Sequence, residues 1–306
     1  MVHSEDFSFL LLILVSYLLV RAGFDRRVFD NIPKLLFNLC FPALILISFS
    51  DMGGYGILEP DALVITVFSI VYTLVIFAAA HIAMRHYRIP SRKEIITLNM
   101  ILGNVTFVGL PFISYFFGAW GVRLAIIFGV VQDFFIWSLC YWMFARKGNL
   151  KQTLKTVLNP CFIAVIAGFI LSGTQLELPT VTVAPIGMLA DITIPLALLC
   201  IGSLLAQNTG IFKLVDRDAV ISIIIKALVL PAAVFVILTA ANINPTLVLL
   251  CSLITGLPAA LLSVMFAKEF DKDVVFANVV FMLSTLMFIL VCIALYIMQV
   301  RGIIQF

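Results

Sequence analysis

Two tripeptides of the same composition, Gly109-Leu110-Pro111 and Gly256-Leu257-Pro258, lie in the middle of long apolar stretches, 147 residues apart. Proline has no amide hydrogen and its ring clashes with the carbonyl four residues earlier. Each tripeptide therefore interrupts a helix at a depth where no water satisfies the freed backbone. The freed groups must face protein, a water-filled cavity or a bound solute. Half-helix N-termini carry partial positive charge, so two of them meeting at mid-depth suit an anion, commonly a carboxylate, without a full buried cation. Each glycine also removes side-chain bulk where a second backbone or a ligand approaches. The competing reading of the same residues is a packing kink with no ligand.

Three ionisable residues, Asp133, Asp191 and Lys226, fall well inside apolar runs. Each costs roughly 3 kcal/mol or more if it faces lipid, so each is expected to face protein or water. Asp133 lies about midway along its run, where a carboxylate can bind a proton or sodium ion and couple its gradient to solute movement. Its alternative role is as a structural partner of Lys226 or of backbone amides. Lys226 reads equally as an anion-attracting charge or as a counter-ion to a carboxylate, and Asp191 as a structural or interface residue. The six cysteines all lie in apolar runs without CxxC spacing, which fits small buried hydrophobes and not disulfides or metal ligands. His81 and His86 close the third run at a basic face, and Tyr115, Phe116, Phe117 and Trp120 read as an interfacial aromatic belt. HExxH, GxSxG, Tyr-Asp and Gly-x-Gly-Asp motifs are all missing, so neither an enzyme nor a cofactor is expected. A membrane receptor that binds a solute without moving it is the rival to a carrier.

The elements that must hold these residues follow from composition. Of 306 residues, 63% are hydrophobic and 11% charged, with a mean hydropathy of +1.19, too much apolar surface for a chain bathed in water. Ten apolar runs can be drawn, at 7–21, 33–50, 62–84, 95–117, 119–144, 157–173, 182–206, 219–240, 246–267 and 274–299. Most are long enough to cross about 30 Å of hydrocarbon at 1.5 Å per residue. The first is short, but it is acidic before (Glu5, Asp6) and basic after (Arg21, Arg26, Arg27), opposite to a signal peptide, and reads as a retained span. Sixteen Lys and Arg residues lie in the first, third, fifth, seventh and ninth connections, against Arg123 and Arg301 on the other side. That bias puts these five loops in the cytoplasm and both termini outside a plasma (inner) membrane. The net charge of +3 is spread over short loops and implies no nucleic-acid partner.

Ten spans divide as five and five, 1–144 and 157–306, about a basic cytoplasmic linker at 145–156. An odd number per half inverts the second half in the membrane, so the expected fold is an all-α membrane protein of two inverted five-helix repeats with broken helices 4 and 9. A second pair of landmarks supports the repeat. Asn38-Leu39-Cys40-Phe41-Pro42 and Asp191-Ile192-Thr193-Ile194-Pro195 each put a polar residue four before a mid-span proline, and Pro42 and Pro195 are 153 residues apart.

The stretch Asn104-Val105-Thr106-Phe107-Val108-Gly109-Leu110-Pro111 resembles the segment-4 signature of the auxin efflux carrier family, which includes the plant PIN auxin exporters. Leu257-Pro258 followed by Phe266-Ala267-Lys268-Glu269-Phe270 resembles the PIN stretch Phe-Ala-Lys-Glu-Tyr at the same spacing. Ala190-Asp191 before Gly202, Lys226 before Pro231 and Asp133 before Trp137 also fall on family positions. The resemblance implies a ten-helix secondary carrier and homodimer. Segments 1, 2, 6 and 7 would form the dimerising scaffold, and 3–5 and 8–10 a transport domain in which helices 4 and 9 cross at their prolines. It implies organic-anion substrates such as auxin, malate or malonate, bound by Asn104 and the backbone around Gly109, Pro111, Gly256 and Pro258. Asp61 matches a plant aspartate in a support site, but the lysine four residues later is Ile65 here, and Asp133 stands where the plant proteins carry glutamine. Asp61, Asp133 and Lys226 are therefore the coupling or support candidates, and Pro42, Pro195 and Asp191 the structural ones. The expected activity is alternating-access movement of a small carboxylate across the bilayer, with a proton or sodium ion as the candidate coupling ion.

Overall fold

The computed structural model describes residues 8–50, 59–135, 160–174, 179–207 and 209–301. Among these residues the regular elements are all helical. They are α1 (Ser8–Arg21), α2 (Arg26–Asp30), α3 (Ile32–Leu35), α4 (Phe41–Ser50), α5 (Pro60–Ala83), α6 (Pro90–Ile101), α7 (Leu110–Phe135) and α8 (Pro160–Thr174) in the first part of the chain. Then follow α9 (Thr180–Asp191), α10 (Thr193–Gln207), α11 (Arg217–Ile224), α12 (Leu230–Ala240), α13 (Pro245–Thr255), α14 (Leu261–Glu269) and α15 (Val274–Val300). Among the described residues six helical stretches are long and apolar enough to cross a membrane, which makes this a multi-pass membrane protein. The linker expected at 145–156 lies outside the described residues.

Local chemistry sets the helix ends. Asp25, Asp216, Asn244 and Asp273 cap helix starts by accepting backbone amides of Arg27, Ala219, Thr246 and Phe276, at 2.9–3.0 Å. Pro90 and Pro245 open their helices, where an amide hydrogen has no partner to lose. Within α7 the chain turns at Gly118, whose φ of 60° and ψ of −157° belong to a region open to glycine alone. That single residue divides the fourth predicted run from the fifth.

Among the described residues three five-residue π-helical turns occur, at Leu36–Cys40, Val105–Gly109 and Ile225–Val229. Each ends two residues before a proline: Pro42, Pro111 and Pro231. A proline ring displaces the carbonyl behind it, and the widened turn lets the preceding residue bond one position further back. The Phe41 amide reaches Leu36 and that of Leu230 reaches Ile225. The break expected at Pro111 accordingly sits upstream of it, at Leu102–Asn104, with Pro111 the second residue of the helix that follows.

The chain forms two compact units that interleave along the sequence. The first comprises Met1–Thr66, Thr106–Val130 and Asn149–Thr209; the second comprises Val67–Val105, Val131–Gly148 and Gly210–Phe306. In the first unit α1 packs along α10, and α4 lies against α8 and α9. A Cβ on Gly202 would fall 2.1 Å from the Ile13 carbonyl oxygen and the Ser16 hydroxyl, so the approach of α10 to α1 demands glycine. The breaks in the second and seventh runs also meet here. The Thr193 hydroxyl lies 3.0 Å from the Cys40 carbonyl and 2.9 Å from that of Leu189.

The second unit is built on Ile95, Ile96 and Met100 of α6, Ala219 and Ile223 of α11, and Phe276, Ala277, Val279 and Val280 of α15. A smaller cluster joins Leu98, Ile101 and Leu102 to Ala260 and Phe266 of the ninth run. Cys251 and Cys292 in this unit, and Cys40 and Cys200 in the first, are buried free thiols. Cys140 lies outside the described residues.

Candidate functional site

In the second unit the interrupted fourth and ninth runs touch backbone to backbone. Helix α6 stops at Ile101, Leu102 is extended (φ −88°, ψ 134°), and the Asn104 amide donates to the Pro258 carbonyl at 2.8 Å. The approach is close enough that a Cβ on Gly103 would come within 2.9 Å of the Leu257 Cβ. On the other strand of the crossing α13 ends at Thr255, and Gly256 to Ala260 connect it to α14. A Cβ on Gly256 would meet the Pro231 ring at 2.8 Å. The Ala259 amide donates to the Ser284 hydroxyl at 3.0 Å.

The carbonyls freed where α6 ends are answered by side chains. Gln132, 2% exposed, donates to the Ile101 carbonyl at 2.7 Å, and its own carbonyl lies 3.5 Å from the Gly103 amide. The Met100 carbonyl accepts from the Tyr72 hydroxyl at 3.2 Å and from the Lys226 ammonium at 3.3 Å. Lys226, 3% exposed, lies 6.0 Å from the centre of the Tyr72 ring. A cation beside the negative end of a half-helix is favourable. The far side of the break is the N-terminus of α14, whose first amides, those of Leu261 and Leu262, have no partner inside the helix. One edge of the crossing is thus negative and already bonded, and the other is electropositive.

Of the expected ligands, Asn104, Gly256 and Pro258 come together in this unit, and Asn104 is 5% exposed. Gly109 and Pro111 are buried in the first unit. Asp61 is also in the first unit, where it accepts the Trp120 indole N–H at 3.1 Å. That bond ties down a residue read from sequence as part of an aromatic belt. Asp133 is in the last described turn of α7, and its side chain lies outside the described residues. Asp191 ends α9 exposed, and Thr193, not Asp191 or Asn38, bridges the two breaks near Pro42 and Pro195. Gln132 and Tyr72 are the residues that sequence reading missed. The signal was available: both are polar side chains within apolar runs, Gln132 next to the aspartate that drew attention.

At one end of the same unit the third, seventh and ninth connections meet. Arg92, in the first turn of α6, bonds Asp216 and, at 2.8 Å, Asp273, while Asp218 lies 3.7 Å away. The guanidinium stands 4.5 Å over the Phe276 ring. Lys272 pairs with Glu94 at 3.3 Å. Burial alone would raise the Asp216 carboxyl, but the Ala219 amide and Arg92 hold it below the ordinary aspartate value. Burial, then the hydrogen bond from Tyr87 to Asp218 and that carboxylate's charge, push the Tyr87 phenol up to about 12.

A model of the family described as membrane transport protein matches the chain over residues 2–153 and again over 145–297. The chain belongs to the membrane transport protein family. This is the family that contains the auxin efflux carriers. A search of curated proteins finds no match. Membership gives the paired breaks a context: in a membrane transport protein, irregular backbone at mid-depth is tolerated where it is buried in protein or lines a solute path.

Proposed function

We propose that this membrane transport protein is a secondary carrier that moves a small mono- or dicarboxylate across the plasma membrane by alternating access, as the auxin efflux carriers' resemblance implies. The observation that carries the reading is the crossing in the second unit. Two interrupted runs are pinned by the bond from Asn104 to Pro258, with the electropositive start of α14 on one side. The substrate carboxylate is received by the α14 amides and the Asn104 side-chain amide. Gly256 and Pro258 keep the backbone open around it. Ten spans arranged as inverted halves, a homodimer, and a proton or sodium ion carried at Asp133 complete the proposal.

Uptake of radiolabelled malonate and malate into proteoliposomes tests it. Accumulation above the empty-liposome level, lost in Asn104→Ala at unchanged expression and oligomeric state, is the expected result. Saturable binding without any uptake would make the protein a receptor for the same anions.

A further inference from the structure

Lys226 brings an amino group deep into the second unit, and its surroundings include polar atoms that have no hydrogen-bond partner among the described residues. Its ammonium has three donors, and among the described residues its one hydrogen-bond acceptor is the Met100 carbonyl. Both amide atoms of Asn99, the Ser222 hydroxyl and the Thr73 hydroxyl are buried with no hydrogen-bond partner among the described residues. These three residues are 1%, 2% and 0% exposed. Polar atoms this deeply buried are almost always bonded, to protein or to something bound.

Their positions converge. Ser222 is one turn before Lys226, on the face of α11 that also buries Ala219 and Ile223. Asn99 lies one turn after Ile95 and directly before Met100, on the α6 face that packs in the same cluster. Thr73 follows Tyr72 and shares a helical stripe with Ile76 and Ala80, both packed on that cluster. Three helices therefore turn toward one core an ammonium, an amide and two hydroxyls. Among the described residues no carboxylate pairs with Lys226.

We propose that Lys226, Asn99, Ser222 and Thr73 form a buried site for one small anion inside the second unit, on the α6 side of the crossing at Asn104. The ammonium selects negative charge and rejects metal cations. The amide and hydroxyl hydrogens supply directional donors to a halide or to a carboxylate oxygen. The site needs no transport activity to exist, so it stands or falls apart from the carrier reading.

Thermal unfolding of the purified full-length protein in detergent tests it, with sodium gluconate replaced at constant ionic strength by sodium bromide or by sodium malonate. Gluconate is too bulky to enter between packed helices. The wild type should be stabilised saturably by at least one of the two small anions. Ser222→Ala and Asn99→Leu should raise the half-saturating concentration about tenfold, the equivalent of one lost hydrogen bond to a charged group. Asn99→Leu should also unfold no earlier than wild type in gluconate, because it removes an unbonded buried amide. Protection by bromide that survives Asn104→Ala assigns the site to an inorganic anion; protection by malonate alone that survives Asn104→Ala assigns it to a carboxylate. The proposal is overturned if neither anion protects, or if Ser222→Ala and Asn99→Leu leave the half-saturating concentration unchanged. The two variants decide the matter even if Lys226→Met does not fold.

Discussion

At the scale of single residues, the contacts divide the crossing between backbone that fixes it and side chains that hold it open. Gly103 permits the approach to Leu257, so Gly103→Ala forces either side to move by several tenths of an ångström. We expect it to lower the unfolding temperature and to remove the part of the malonate protection that Asn104→Ala also removes, read in the same thermal assay. Gln132→Leu leaves the Ile101 carbonyl and Gly103 amide without their side-chain partner, at a cost of about 1–3 kcal/mol. Unchanged stability in that variant would show that the break closes on itself without Gln132. Asp133→Asn keeps shape and removes charge, and a carboxylate that carries the coupling ion must be neutralised before it crosses a low-dielectric barrier. The variant should still exchange substrate while failing to concentrate it, measured as counterflow against gradient-driven uptake; accumulation as steep as wild type would reduce Asp133 to a structural role. Asn104, Gly256 and Pro258 were legible because glycine and proline break helices for reasons that need no fold. Gln132 and Tyr72 were not singled out, because their value lies in carbonyls freed 31 and 28 residues away, and only folding brings such partners together.

Among elements, the π turns show what the sequence conveyed and what it withheld. A mid-span proline announces an interruption, but the strain it creates is relieved in the turn behind it. Pro42, Pro111 and Pro231 therefore sit at the start of good helix and the irregularity lies upstream. The third of these has no counterpart in the third run, since α5 continues unbroken from Pro60 to Ala83. The same logic of helix ends governs the Arg92 cluster, where one guanidinium serves the capping aspartates of α11 and α15 at once. Arg92→Gln leaves three neighbouring carboxylates without their cation and should cost at least about 1 kcal/mol, held to that low figure because Asp216 is 39% exposed. The folded Asp216 titrates below the ordinary aspartate value of about 3.9. Its contribution is therefore present above about pH 4 and lost as pH falls through the depressed value. Unfolding temperature measured down this range should drop in the wild type and drop less steeply in Arg92→Gln. An equal slope in both would remove Arg92 as the cause.

For the whole molecule, the loop charges make a prediction that needs no atomic detail. With the first, third, fifth, seventh and ninth connections cytoplasmic, a single cysteine at Lys151 should resist an impermeant thiol reagent in intact cells and react after permeabilisation. Labelling from outside would reverse the topology. The meeting of Arg92, Asp216 and Asp273 puts three of those five connections at one end of one unit, as a common side requires. The all-helical class was legible from hydropathy alone, because each span needs only its own apolar length. Hydropathy does not convey the interleaving of the two units, since it depends on which faces pack together, and faces with no polar side read alike in every direction; an interleaved division is implied only by the family resemblance.

The bond from Asn104 to Pro258 also orders events in time. A chain emerging from the ribosome completes its fourth run long before the ninth exists, and Lys226 follows Met100 by 126 residues. Until then the end of α6 has lost its helical continuation and has gained only Tyr72 and Gln132 of the partners that answer it, with Lys226 and Pro258 still missing. The nascent protein must therefore keep this segment wet or sheltered by the insertion machinery while half of the chain is still being made. Chains stopped at Ala240 should thus remain bound to the insertion site or be degraded, whereas chains extended past Ser284 should be released into the bilayer. Crosslinking of staged nascent chains from position 104 reads that transition directly.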